Sequence, residues 1–302
     1  MAQISMAQVK ELRDRTQAGL NDCKKALTEA EGDIEKAVEL ILKKGLVKSA
    51  KRAGAVAAEG VVAAKVSADS KRGIIVEVNI QTDFAARNPD FLAFVDSVVE
   101  AAFAAKPGAE IGSEPFPGGT GTVEENRAAL VGKLGENITV RRWEALSVDS
   151  GLVHAYIHMG GKVGALLAIS GKADEKVKSF ADDTAMHIAA MGPRFLKQEQ
   201  VDSGAKDAQR SIYDAQLKEE GKPDAVRPKI VEGKIGKWMK EICLLEQPSV
   251  VDSEKTVRQL QDELSKAVGG AEISAFFRFE RGEGVAKKED NFAEEAQRMA
   301  GG

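Results

Sequence analysis

Cysteine, histidine and aromatic residues are scarce in this chain of 302 residues, and each shortage removes a class of function. The two cysteines, Cys23 and Cys243, stand alone in helix-like contexts, so neither a disulfide framework nor a metal quartet can be built from them. Aromatic residues make up 5% of the chain, too few for the stacking platforms that hold single-stranded nucleic acid. Charge of one sign is also lacking. The balance of 43 Lys and Arg against 47 Asp and Glu leaves a net charge of −4, with no overall pull toward nucleic acid. No apolar run approaches the roughly 20 residues needed to cross a bilayer. The start, Met1-Ala-Gln-Ile-Ser5, has no basic stretch followed by an apolar one, so a signal peptide is not expected and a reduced, cytoplasmic setting is.

Catalytic constellations are missing too. There are 3 histidines. His154 and His158 fall on one face of a predicted strand with Tyr156 between them, opposite Val153, Ala155, Ile157 and Met159. With no third ligand nearby in sequence, a polar sheet face is expected there, not a metal site. His187 sits beside the apolar stripe of a predicted helix, as a buffer between core and surface. Pro117-Gly-Gly-Thr-Gly121 and Gly160-Gly-Lys162 lack the Gly-Lys-Ser/Thr order of a phosphate-binding loop. They read as a surface loop and a hairpin turn. Neither a nucleophile elbow nor a cysteine–histidine arrangement occurs, so no enzyme, cofactor or metal is expected.

What is present is the composition of a soluble globular chain, 43% hydrophobic and 30% charged. Residues 5 to 45 carry three apolar stripes: Val9 and Leu12; Cys23, Ala26, Leu27 and Ala30; then Ile34, Ala37, Val38, Ile41 and Leu42. Thr16 to Asn21 and Gly32-Asp33 separate them. Three short helices in about forty residues lie near the lower limit for independent folding and suit a docking module. Leu20, in the first turn, is either a core plug or an exposed contact. Lys43 to Arg52 is a basic stretch without interleaved aromatics, read as a linker or solvated helix face.

The rest uses one pattern twice. Val61 to Val66 and Gly73 to Ile80 predict a hairpin, followed by a helix with Phe91, Val95, Val98, Val99 and Ala102 on one face, then a strand from Ile138 to Leu146. Val153 to Met159 and Val163 to Ile169 predict a second hairpin, followed by a helix through Val177, Phe180, Ala181, Thr184, Ile188 and Ala189, then a strand from Ile273 to Glu280. Two α+β subdomains follow, each a small antiparallel sheet covered by a helix. The halves differ at two places. An insert from about Glu199 to Gln247 reads as a helical hairpin, with Ala208, Ile212 and Ala215 facing Val231, Ile235, Trp238 and Ile242. The strand-to-helix junction, merely Ser170-Gly-Lys-Ala173 in the second half, extends from Gln81 to Asp90 in the first. A junction longer than the connection needs is more often functional than structural. It carries a carboxylate, Asp83, beside a single large aromatic, Phe84, before a helix starts near Asn88-Pro89-Asp90. That aromatic is either a core anchor or a contact offered to a partner, and on residue type alone the anchor is favoured.

Several motifs in order resemble the bacterial elongation factor Ts family over essentially the whole length. They are Val9-Lys-Glu-Leu-Arg13, Asp22-Cys-Lys-Lys-Ala-Leu-Thr28, Gly32-Asp33-Ile34, Gln81-Thr-Asp-Phe84, Gly135-Glu-Asn-Ile138, Met186-His-Ile-Ala-Ala190, and Arg278-Phe-Glu280 with Gly282-Glu-Gly284. The resemblance implies an exchange factor that is not an enzyme, whose partner is the translational GTPase elongation factor Tu. It implies an N-terminal ubiquitin-associated-like module with basic linker (1–52), a core N-subdomain (53–147), a core C-subdomain (148–280) holding the hairpin insert, and a C-terminal segment (281–302). It also implies that Thr82, Asp83, Phe84 and Ala85 enter the GTPase near its magnesium site, that Arg13, Leu20, Asn21, Gly135 and His158 make further contacts, and that residues around Phe279 to Met299 reach back onto the partner. Pro107 to Gly121 departs from the family pattern and is expected to be a loop without a role in exchange. The helical arm and second sheet are candidate surfaces for a homodimer, or for a heterotetramer with the partner. No nucleic acid or membrane is implied.

Overall fold

The computed structural model describes residues 4–16 and 18–285. In chain order the elements are α1 (Met6–Thr16), α2 (Leu20–Glu29), α3 (Ile34–Arg52), β1 (Glu59–Val66), β2 (Arg72–Ile80), the single turn α4 (Asp83–Ala86), α5 (Pro89–Ala104), α6 (Val123–Leu134) and β3 (Ile138–Ser147). The second half has β4 (Gly151–His158), β5 (Val163–Gly171), α7 (Glu175–Met191), α8 (Ser203–Glu219), α9 (Arg227–Ile242), α10 (Val257–Val268) and β6 (Ala271–Glu280). The class is the expected mixture: three helices, then two antiparallel three-stranded sheets with their helices.

The stripes of α1, α2 and α3 close on Val9, Leu12, Cys23, Ala26, Leu27, Val38 and Ile41. Asp33 starts α3 by accepting a hydrogen bond from the Lys36 amide at 3.1 Å. Of the two readings of the basic stretch, the solvated helix face holds and the linker does not: α3 continues through it to Arg52 with all its lysines exposed. Packing explains the extension. Gly45 and Ser49 are buried one turn apart, and a Cβ on Gly45 would come within 3.0 Å of the Ala129 backbone in α6. Absence of a side chain there lets two helix backbones touch. Ser49 accepts from Arg127 of α6 at 2.9 Å. The module is thus fastened to the core by a helix crossing.

Each sheet has its second strand at the centre, in the orders β1-β2-β3 and β4-β5-β6. Central strands are covered on both faces and so read as nearly continuous apolar runs. In β2, Ile74, Val76, Val78 and Ile80 pack beneath α5 with Phe91, Phe94, Val95 and Val98. Ile75 turns the other way and meets Val62, Val153, Leu166, Ala168 and Phe279 between the sheets. In β5, Ala165, Leu167 and Ile169 pack beneath α7 with Val177, Ala181, Ala185 and Ile188. The layers are therefore helix, sheet, sheet, helix, and the two sheets lie face to face. A Cβ on Gly164 would sit 2.6 Å from Val62 Cγ1, so the sheets meet closely where a side chain is missing.

Several local expectations are corrected by this layering. The β4 face bearing His154 and Tyr156 is not a solvated polar face. Leu152 and Tyr156 pack into the α7 core, and His154 Nε2 lies 2.8 Å from Asp182 of α7. In the helical hairpin, α8 turns Ala205, Tyr213 and Leu217 toward Val231, Ile235 and Met239, leaving Ala208, Ile212 and Ala215 exposed. The apolar stripe of α8 is so sparse that two faces compete, and the wider side chains Tyr213 and Leu217 prevail. Residues 107–121 are the expected loop, tied to α5 where Phe116 stacks on Phe94 with ring centroids 5.9 Å apart. Phe279 is buried between the sheets with the Arg142 guanidinium 4.3 Å from its ring centroid, so it is not part of an outward segment. Residues 286–299 of that expected segment lie outside the described residues.

His187 is fully buried, not at the core margin. The Val250 amide donates to Nδ1 at 3.2 Å, and Nε2 lies 2.8 Å from Gln247 Oε1, which fixes a neutral tautomer protonated on Nε2. Burial pushes its pKa below the ordinary value, against a smaller upward pull from Gln247. The unfolded chain therefore takes up the proton first as pH falls. Stability is full above the ordinary imidazole range and is lost as pH drops through it toward the lower folded pKa. Urea unfolding between about pH 7 and pH 5 should show this decline, and a His187→Gln variant, though less stable at the start, should show a flatter one. Equal slopes in the two proteins would remove His187 as the source.

Candidate functional site

The long junction after β2 is built from short-range caps. Thr82 is extended (φ −119°, ψ 153°), and its Oγ1 accepts from the Ala85 amide at 3.2 Å, which starts the single turn α4. The turn ends at Arg87, and Asn88 accepts from the Asp90 amide at 2.8 Å with Pro89 at the first position of α5. Between these caps Ala85 and Ala86 pack against the first core, which leaves Asp83 and Phe84 on the outer side. Phe84 is 82% exposed, the highest value for a large hydrophobic side chain among the described residues. The anchor expected from residue type is therefore overturned. Asp83, half-exposed, approaches the exposed Arg87 at 3.4 Å, a surface pair contributing little to stability.

Gly135 belongs to the same neighbourhood. It closes α6 in the left-handed conformation (φ 75°), which turns the chain toward the junction. The next residue, Glu136, accepts from Thr82 twice, from the amide at 3.1 Å and from Oγ1 at 2.8 Å. The Asn137 amide then donates to Gln81 Oε1 at 2.6 Å. The sequence motif Gly135-Glu-Asn-Ile138 included Glu136 and Asn137, but a contact role was assigned to Gly135 alone. The signal available was a pair of polar residues following a helix-ending glycine.

The remaining candidates lie apart. Arg13, on α1, and Leu20 and Asn21, at the start of α2, are all exposed, Leu20 at 42% and outside the module core. The alternative of Leu20 as core plug is closed. Leu20 is also the first helical residue of α2, not part of a turn. A cleft of about 500 Å³ opens beside it between the module and α6, with Lys25, Lys48 and Lys133 around Ile41, Gly45 and Ala129. His158 ends β4, exposed, with Nδ1 2.9 Å from the Tyr156 hydroxyl. Beyond it Met159 is exposed as well, and the Gly161 carbonyl accepts from Val62 of β1 at 2.8 Å. Since α4 also packs on β1, the Phe84 turn and the turn after His158 both adjoin that strand.

The chemistry of these places is that of contact. Among the described residues no group of three or more His, Cys, Asp or Glu side chains is placed to hold a metal ion. Both cysteines are buried, and burial pushes the Cys243 thiol up to about 11 and Cys23 in the same direction, the reverse of a reactive thiolate. No helix among the described residues is long and apolar enough to cross a membrane.

Comparison with known proteins gives a consistent assignment. The family model described as "Elongation factor TS" matches residues 81–283, from the junction to the turn after β6. An elongation factor Ts of Clostridium botulinum is 47% identical over 302 residues, covering 99% of each chain. One from Clostridium perfringens is also 47% identical with 99% of each chain covered, and one from Clostridium acetobutylicum is 46% identical over 300 residues, covering 98% of each. These matches take in the helical module as well as both sheets, and the chain belongs to the elongation factor Ts family.

Proposed function

We propose that the chain promotes GDP release from elongation factor Tu by binding its nucleotide-free form and disturbing its magnesium and phosphate site with the Asp83–Phe84 turn. One observation carries this reading: a large aromatic side chain stands 82% exposed on a doubly capped single turn. An unpartnered Phe in water gains by burial, and its fixed backbone reduces the ordering needed on contact. Release then follows from reciprocity, because a factor that prefers the nucleotide-free GTPase must weaken nucleotide binding by the same ratio. Magnesium bridging protein and phosphates needs near-octahedral oxygen geometry, so a small displacement of its surroundings loses much of the site. Asp83 adds repulsion toward phosphate or competes for groups that organise the metal's waters.

Arg13, Leu20 and Asn21 on the module, Gly135 beside the turn, and His158 across β1 supply the distributed remainder of the binding energy. No proton transfer or covalent step is required. The direct test mixes the protein with elongation factor Tu carrying a fluorescent GDP analogue and follows its release in excess unlabelled GDP. Acceleration that rises and saturates with protein concentration is the expected result. Release at the spontaneous rate at all concentrations would sink the proposal.

A further inference from the structure

We propose that Glu136 is a positioning residue that holds the Phe84 turn in its outward pose from outside the turn itself; the functional weight of that pose rests on the reading of Phe84 given above. A helix of one turn, Asp83–Ala86, cannot sustain itself, since helix nucleation is unfavourable until several hydrogen bonds share its cost. Its start must be fixed by something else, and two donors on Thr82 show what does so. The Thr82 amide and hydroxyl are each taken by a different oxygen of the Glu136 carboxylate, at 3.1 and 2.8 Å. With its proton directed to Glu136, Thr82 Oγ1 turns lone pairs toward the Ala85 amide at 3.2 Å. The two bonds through that hydroxyl polarise each other in the same direction. Both acceptors of one carboxylate thus fix both the backbone and the cap of the residue that starts the turn.

Glu136 is itself held by its neighbours. Gly135, left-handed at the end of α6, sets its direction, and Asn137 on the other side ties two more points. The Asn137 amide donates to Gln81 at 2.6 Å, and its side chain donates to the Ala55 carbonyl, just beyond α3, at 2.8 Å. The bracket 135–137 therefore joins the exit of the N-terminal module to the residues just before Phe84. Because α6 also crosses α3 at Gly45, the module and the turn share one rigid support.

The experiment begins in the free protein, so it does not depend on any partner. A spin label placed at Phe84→Cys, with the native cysteines buried, should give the partly ordered spectrum of an exposed site on a fixed helical turn, and adding Glu136→Ala should make it measurably more mobile. Thr82→Val, which removes the hydroxyl and keeps the shape, should do the same. In exchange with elongation factor Tu, Glu136→Ala should lower the maximal release rate about tenfold, the scale of losing hydrogen bonds to a charged acceptor, with the melting temperature lowered by only a few degrees. On a Phe84→Ala background the same change should bring no further loss. Unchanged label mobility in both variants overturns the proposal. So does an undiminished Glu136→Ala effect on the Phe84→Ala background, which would make Glu136 a direct contact. If Phe84→Ala alone left exchange untouched, the function reading would fail while the label still decided the role of Glu136.

Discussion

Phe84→Ala should slow the exchange stimulated by this protein roughly ten- to a hundredfold while leaving its fold and melting temperature unchanged. The magnitude comes from area. Burying a Phe side chain against a partner contributes roughly 1.5–3 kcal/mol, which corresponds to about one to two decades of coupling between factor and nucleotide. The unchanged stability comes from exposure: a side chain already 82% in solvent has little to lose in the free protein. Phe84→Leu should fall between the two, because it keeps apolar area but not the flat ring. Asp83→Asn separates charge from shape at the neighbouring position. If Phe84→Ala folds normally and releases nucleotide as fast as the unmodified protein, the wedge role of this residue is wrong, even where the protein remains an exchange factor through its other contacts.

Much of the fold was legible because periodicity carries it. The two hairpins, the covering helices α5 and α7, and the three stripes of the module follow from apolar spacing, and all are present. Features that depend on a second layer were not. The nearly unbroken apolar run of β2 says that both faces are covered but not by what, so the face-to-face packing at Ile75 and Gly164 was missed, and with it the burial of Phe279. The α8 seam was misjudged because Ala208, Ile212 and Ala215 form as good a stripe as Ala205, Tyr213 and Leu217 when only spacing is counted. At the candidate site the length of the junction and the helix start at Asn88-Pro89 were readable, but α4 was not, since four residues are too few to show a period. The outward pose of Phe84 runs against its residue type. It required the resemblance to suggest it, and it depends on Glu136, distant in sequence.

Glu77→Ala should cost about 3 kcal/mol of stability, more than any exposed charge substitution in this chain. The carboxylate is fully buried between the sheets, in the largely apolar run of β2. It accepts from Arg141 at 3.0 Å, from Arg142 at 2.6 Å, from the Asn79 side chain at 3.1 Å and from the Gly282 amide at 2.7 Å. Adjacent residues of a regular strand point to opposite faces, so two successive arginines should not share one carboxylate. The pairing of β2 with β3 shifts register between Glu77 and Val78, and this bulge in β3 brings both guanidinium groups to the same side. Removing the carboxylate leaves two cations and two N–H donors facing a gap, and the arginines, being partly exposed, recover only part of the loss through water. Glu77→Gln should cost less, since its amide keeps one acceptor for Gly282 or an arginine. The bond to Gly282 adds a local signature: the turn after β6 should become the earliest site of limited proteolysis in Glu77→Ala. Because the pair is buried, the difference from the unmodified protein should persist in high salt, unlike that of a surface pair. Chemical denaturation of Glu77→Ala with the midpoint of the unmodified protein would show that the carboxylate contributes nothing net, and that the sheets are held together without it.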